Sequence, residues 1–109
     1  MVATAPVDAV MQALAAPTRR AVFERIVRSG EITVVELTRG SGVTQGAVSQ
    51  HLKSLKQAGL VAERAQGRNV YYHVTPEGLG PLADWMGHYG AFWRDRFADL
   101  RALLEEIDR

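Results

Sequence analysis

Apolar residues recur along this chain with two different periods. Val7, Val10, Met11 and Leu14 fall at i, i+3, i+4 and i+7 and predict an amphipathic helix over residues 7–15. Pro17 is suited to the first position of a second helix, where its missing N–H is no loss. Val22, Phe23, Ile26 and Val27 supply the buried face of that helix, and Glu24 and Arg28 are spaced to pair on its outside. Ser29-Gly30 ends it. Ile32-Thr33 predicts a short strand, and residues 34–39 a short helix with Leu37 turned inward.

The stretch from Gly42 to Val61 carries the strongest local signals. Thr44 is a good N-cap, because its hydroxyl can accept an unpaired amide proton of the first turn. Gly59 stands where a helix closes in the left-handed conformation, and Leu60 supplies the apolar contact beyond it. Between them Val48, Leu52 and Leu55 recur at helical spacing and predict a core-facing side. Gly46, Ser49, Gln50, Lys53 and Gln57 lie about half a turn away, short or hydrogen-bonding and nearly all uncharged. With the preceding short helix and the break at Ser41-Gly42, this is the pattern of a helix-turn-helix whose second helix is polar outward.

After Gly59 the period shortens to that of strands. Residues 60–65 and 69–75 are β-prone runs around Gln66-Gly67-Arg68, which predicts a hairpin with a basic tip. A hairpin directly after such a helix is a wing. Pro76 then opens a last helix, over residues 77–107. Its apolar stripe runs through Leu79, Leu82, Trp85, Met86, Tyr89, Phe92, Trp93, Phe97, Leu100, Leu103, Leu104 and Ile107. Gly87 and Gly90 weaken its middle and predict a bend or break there. So long a stripe exceeds what one small subunit can bury. Left in water it would form a larger apolar patch than monomers normally tolerate. A symmetric dimer covers it economically, with residues 7–15 and 77–107 as the dimerisation helices. The expected interface residues are Val7, Val10, Met11, Leu14, Trp85, Tyr89, Phe92, Trp93, Phe97, Leu100 and Leu104. The competing arrangement folds the terminal helix back onto its own subunit.

A chain of 109 residues fits one domain over 1–109 with a single core. No apolar run approaches the ~18 residues of a membrane span. The first residues lack the basic and apolar pattern of an export signal, so the expected location is the cytoplasm. No cysteine is present, which excludes disulfides and thiolate metal sites. The net charge of +1 hides an uneven distribution. From Ser41 to Thr75, Lys53, Lys56, Arg64 and Arg68 stand against Glu63 alone, whereas from Pro76 onward acidic residues outnumber basic ones. A phosphate-facing half and an acidic far side suit a domain that docks on a nucleic acid.

Taken together, Leu14-Ala15-Ala16-Pro17-Thr18-Arg19-Arg20, Glu36-Leu37, the run from Val48 to Leu55, Ala58-Gly59-Leu60-Val61, Gly67-Arg68 and Tyr71-Tyr72 closely resemble the ArsR family of winged helix-turn-helix repressors. The match spans about Val7 to Leu82. The tail from Trp85 to Leu104 resembles a cysteine-less branch with an aromatic final helix. The resemblance implies a mostly α fold with a small β-hairpin, ordered α-α-β-α-α-β-β-α, in a homodimer that sits on operator DNA and leaves it when a ligand binds.

Three departures matter. Metal-sensing members carry paired cysteines where this chain reads Val35-Glu36-Leu37-Thr38-Arg39-Gly40, so soft-metal sensing there is excluded. Asp84 and His88 share a helix face, but their spacing differs from the family's carboxylate-histidine pattern, and two ligands are half a site. No metal or other cofactor is expected. Ala16 also replaces a side-chain cap before Pro17, at a cost of ~1 kcal/mol to that helix start.

The residues divide by chemistry. Thr44, Gln45 and the first amides of the recognition helix can hold a phosphate oxygen, while Lys53, Lys56, Arg64 and Arg68 can neutralise others. Base reading falls to Gln45, Ser49, Gln50 and Lys53, since glutamine pairs bidentately with adenine and lysine reaches guanine. Gly46 permits close approach, and Arg68 can follow the adjacent minor groove. His51 is expected to be partly packed and hydrogen-bonded. One of Tyr71 and Tyr72 faces the core and the other outward. Arg19 and Arg20 are expected in ion pairs rather than on phosphates. Ser49, His51 and Ser54 are spread around one helix without an acid partner, so catalysis is not expected. Two alternatives keep the fold: a winged-helix module that binds protein, and a regulator that senses a small molecule or hard metal between the aromatic tail helices.

Overall fold

The chain begins with α1 (Pro6–Ala15) and α2 (Pro17–Ser29) in the computed structural model, which describes residues 6–108. Residues 1–5 and 109 of the expected 1–109 domain lie outside the described residues. Ala16 is extended and offers α2 no side-chain cap, as its methyl requires. The junction is held from the other side. Arg19 Nε donates to the Ala13 carbonyl at 2.7 Å and a second nitrogen to Gln12 at 2.9 Å, while Arg20 donates to the Leu14 carbonyl at 2.9 Å. Last-turn carbonyls lack partners within a helix, so two guanidinium groups of α2 serve as the cap of α1. The expectation of ion pairs is thus corrected for Arg19. Arg20 also approaches Glu24 to 3.8 Å, which displaces the expected Glu24–Arg28 pair.

Next come β1 (Glu31–Ile32), α3 (Val34–Thr38), α4 (Gln45–Gln57), β2 (Val61–Gln66) and β3 (Asn69–Val74). The first strand lies one residue earlier than expected because Thr33 is taken by α3. Its hydroxyl accepts the Glu36 N–H at 3.3 Å, capping the helix, and donates to the Glu36 carboxylate at 3.0 Å. The three strands form one antiparallel sheet in the order β1-β3-β2, with Ile32 opposite Tyr72 and Glu63 also opposite Tyr72. At the hairpin tip Gly67 has φ +62° and Arg68 a negative φ, the arrangement of a two-residue II′ turn.

Val48, Leu52 and Leu55 of α4 are fully buried against Phe23 and Ile26 of α2, Leu37 of α3, Ile32 and Val61. Val10 belongs to this cluster at 1% exposure, together with Ala13. Its assignment to the dimer interface is therefore corrected, because a side chain spent in its own core has no surface for another subunit. Val7, Met11 and Leu14 are half-buried.

The C-terminal segment starts later than expected and breaks where its glycines predict. It forms α5 (Gly80–His88) and α6 (Gly90–Ile107), interrupted at Tyr89 between Gly87 and Gly90. Residues 76–79 are turns, in which Gly78 N–H donates to Thr75 O at 2.9 Å and Gly80 N–H to Glu77 O at 3.0 Å. Pro81 explains the late start: with no N–H it cannot bond Glu77 O, so it serves as an early residue of α5 rather than Pro76. Leu82 packs on the core, but α5 and α6 contain no fully buried residue. The arm extends the subunit to 61 × 42 × 22 Å and a radius of gyration of 18.4 Å. About 13 Å would suit a compact chain of this length. The terminal helix does not fold back on its own subunit.

Candidate nucleic-acid interface

Helix α4 is bounded by the two residues its sequence advertises. Thr44 Oγ1 accepts the Ala47 N–H at 3.1 Å. At the other end Gly59 has φ +78°, and the Leu60 N–H reaches back to Leu55 O at 3.0 Å, a Schellman closure. With Val48, Leu52 and Leu55 fully buried, the opposite face is forced outward. Thr44, Gln45, Gly46, Ser49, Gln50 and Lys53 are all exposed on it. A Cβ on Gly46 would meet only Thr44 Oγ1, at 3.9 Å. Nothing inside the subunit demands glycine there. Arg25 pins the turn ahead of α4 by donating to Leu37 O at 2.9 Å and Arg39 O at 3.1 Å. No spacing rule links residues 12 to 14 positions apart, so this support was not legible in the sequence.

Not every basic residue of the expected set is at liberty. Lys56 Nζ lies 2.6 Å from the Glu63 carboxylate, tying the last turn of α4 to the first wing strand. Arg64 crosses over β3 to Glu31 on the far strand, with Nε 3.0 Å and a terminal nitrogen 3.2 Å from the two carboxylate oxygens. It also donates to Gln66 at 2.7 Å and sits 5.2 Å from the centre of the Tyr71 ring. Lys56 and Arg64 are exposed, yet both are engaged in holding the wing. Lys53 and Arg68 have no hydrogen-bond or ion-pair partner among the described residues. Tyr72 is the inward member of the tyrosine pair, and burial followed by its donation to Glu63 raises its phenol. His51 is half-buried as expected, without a hydrogen-bond partner among the described residues.

The strap across the wing sets a pH dependence. Arg64, through its hydrogen bonds, holds the Glu31 carboxyl below its ordinary value; Lys56, with Tyr72 second, does the same for Glu63. A carboxylate lowered on folding stabilises the fold above the ordinary carboxylate range, and that contribution disappears as pH falls through the lowered value. Arg64→Ala is therefore expected to depress the thermal midpoint slightly at neutral pH and to converge on the parent as the pH falls through the lowered Glu31 value. Thermal denaturation across that range checks it; a gap undiminished in acid would assign the effect to Tyr71 stacking instead.

Asp84 and His88 border an open cleft of about 330 Å³ with Pro6, Val7, Pro81 and Trp85. Among the described residues no third histidine, carboxylate or thiol joins them within a metal-sized cluster. None of the described helices is long and apolar enough to cross a membrane.

Known proteins share both the sequence and the shape. A family model described as a helix-turn-helix domain matches residues 14–64. The HTH-type transcriptional regulator Rv2034 of Mycobacterium tuberculosis is 48% identical over 75 residues, which are 69% of this chain and 69% of its own. An ArsR-like transcriptional regulator from Rhodococcus sp. RHA1 superposes with a TM-score of 0.72 at 26% identity, over 91% of this chain and 92% of the other. The homodimeric winged helix-turn-helix DNA-binding domain of Mb0332 from Mycobacterium bovis shares the fold, with a TM-score of 0.63 at 24% identity over 84% and 91%.

Proposed function

The chain belongs to the ArsR family of winged helix-turn-helix transcriptional regulators, and from that premise we propose that two copies act together as a repressor on an inverted-repeat operator. The observation that carries this reading is the outward face of α4, polar and almost uncharged between two firm caps. Such a face suits the major groove, where hydrogen bonds to base edges discriminate and a dense charge would not.

Thr44, Gln45 and the first amides of α4 hold a phosphate, which sets the helix in register. Gln45, Ser49, Gln50 and Lys53 reach the base edges, and Gly46 lets the helix come close. Arg68, free at the wing tip, follows the neighbouring minor groove. Lys56 and Arg64 add positive potential, but their first duty is to the wing. Related by a two-fold axis, two recognition helices enter successive major grooves ~34 Å apart. Val7, Met11 and Leu14 of α1 and Trp85, Tyr89, Phe92, Trp93, Phe97, Leu100 and Leu104 of the C-terminal helices bring the copies together. Ten large apolar side chains between Trp85 and Ile107 are 43–68% exposed in the isolated subunit. At on the order of 100 Å² each, they exceed the roughly 800 Å² per partner of a standard interface. The protein works without catalysis, in the cytoplasm, and a small-molecule effector that lifts it from DNA fits the same reading.

Two substitutions separate reading from holding. Gln50→Ala is expected to relax preference at one base position per half-site, worth ~1–3 kcal/mol of discrimination. Arg68→Ala should weaken operator and random DNA alike and reduce the salt slope by about one. Titrations of both duplexes over a salt series measure this. Equal losses from both variants on both DNAs would remove the assigned roles. Failure of the parent protein to retard any fragment from its own upstream region would leave a protein-binding module instead.

A further inference from the structure

We infer that the pocket between α2 and the turn ahead of α4 binds a small organic carboxylate. Thr18, Ala21, Val22, Arg25 and Arg28 fall on one face of α2, and Leu37, Gly40, Ser41 and Val43 complete the lining around about 200 Å³ of space. Sites for drug-sized ligands run to roughly 300–1,000 Å³, so the occupant is smaller than these. A side chain as short as that of Ala21 leaves the space open.

Charge identifies the head group. Two guanidinium groups line the pocket and no acidic side chain does. Arg25 is half-buried and spends Nη1 on the carbonyls of Leu37 and Arg39, at 2.9 and 3.1 Å. Its Nε and Nη2, whose hydrogens share one edge, have no partner among the described residues. That edge is the fork that grips two carboxylate oxygens side by side. Arg28, about one helical turn further along, is also without a partner among the described residues, since Glu24, its expected mate, approaches Arg20 instead. A guanidinium keeps its charge at any pH the fold survives, and two beside one recess without an acid attract an anion.

The rest of the lining identifies the tail. Val22 and Leu37 are buried and Val43 is half-buried, and with Ala21 they make an apolar wall. A bare phosphate would leave that wall wet. A carboxylate with a short hydrocarbon body covers it while its oxygens meet Arg25 and Arg28, the mixture of apolar lining and few polar anchors that small-molecule sites use. Because Arg25 already pins Leu37 O and Arg39 O, a ligand on its other edge also steadies the turn that leads into α4.

Heteronuclear NMR of the full chain, titrated with butanoate, reads this directly. The Arg25 and Arg28 Nε resonances and the Gly40 and Ser41 amides should move together to saturation, and the melting temperature should rise with butanoate concentration. Butanamide, of the same shape without the charge, should move none of them. Arg28→Gln should weaken butanoate about tenfold or more. Ala21→Leu, at an exposed position of α2, should abolish binding by filling the space while circular dichroism matches the parent. Equal responses to butanoate and butanamide, or binding undiminished in both variants, would overturn the site. Inorganic phosphate binding as tightly as butanoate would overturn it too, as the mark of an adventitious ion only. Shifts caused by duplex DNA and not by butanoate would give the two arginines to a backbone phosphate and likewise overturn it. The butanoate measurements need no DNA, so their outcome is separate from that of the operator reading.

Discussion

Replacing Phe97 and Leu104 together with aspartate is expected to leave a folded monomer that binds a two-half-site operator about 10²–10⁴-fold more weakly. Both side chains are more than half exposed in the subunit, at 60% and 53%, so the substitution takes nothing from the core around Leu52. Its effect falls on the contact between copies, where each subunit would have to bury two unpaired carboxylates. The loss on DNA follows from geometry rather than from any altered DNA contact. When two α4 helices are joined, the second half-site is bound from an effective concentration far above that of free protein. Once they are separated, each binds alone. Affinity for a single half-site should therefore be unchanged, which distinguishes this effect from damage to the recognition face. Sedimentation, with titration of whole and half operators, provides the test; undiminished binding to the whole operator would refute it.

The second large effect is steric. A Cβ placed on Gly78 would lie 2.6 Å from Gly59 O, 3.0 Å from Leu60 Cα and 3.1 Å from Thr75 O. All three are backbone atoms, so no side chain can rotate away, and the turn between β3 and α5 would have to lift from the end of α4. Gly78→Ala is expected to cost about 1–3 kcal/mol or more. For a domain of this size each kcal/mol lowers the melting temperature by about 4–8 °C. Gly87→Ala is the contrast, because it lies inside α5 with nothing within 4 Å and should stabilise by about 0.5–1 kcal/mol. Calorimetry of the two variants decides the matter: if both lower the melting temperature equally, crowding at Gly78 is not the cause.

How legible the molecule was depends on how local each signal is. Thr44, Gly59 and the Val48-Leu52-Leu55 spacing announce α4 because caps and helical period act within a few residues. The outward placement of Gln45, Ser49, Gln50 and Lys53 follows at once. Val10 shows the limit of that logic. Periodicity tells that Val7, Val10, Met11 and Leu14 share a face, but not which of them meets its own core and which remains for another chain. The start of α5 was a contest between Pro76 and Pro81, two residues with the same helix-opening chemistry. It is settled by Glu77 O, which Pro81 cannot bond, and by Gly78 lying against Gly59 and Leu60. The reach of Arg64 to Glu31 depends on β3 standing between β1 and β2, and no pairing preference along the chain states that order. The cap at Thr33, by contrast, is a local signal, a Thr with a Glu three residues on, which reading Ile32-Thr33 as a strand conceals.

Leu60 is clamped on both sides, its N–H to Leu55 O at 3.0 Å and its carbonyl to the Thr75 N–H at 2.9 Å, with its side chain wholly buried. It is the last residue of the short link between α4 and Val61 at the start of the wing, and the Lys56–Glu63 pair ties the same two elements from outside. On the proposed duplex, helix and hairpin tip thus behave as the fixed jaws of a caliper. Operators that depart from the ideal are then accommodated in the spacer between their two arms and hardly at all within an arm.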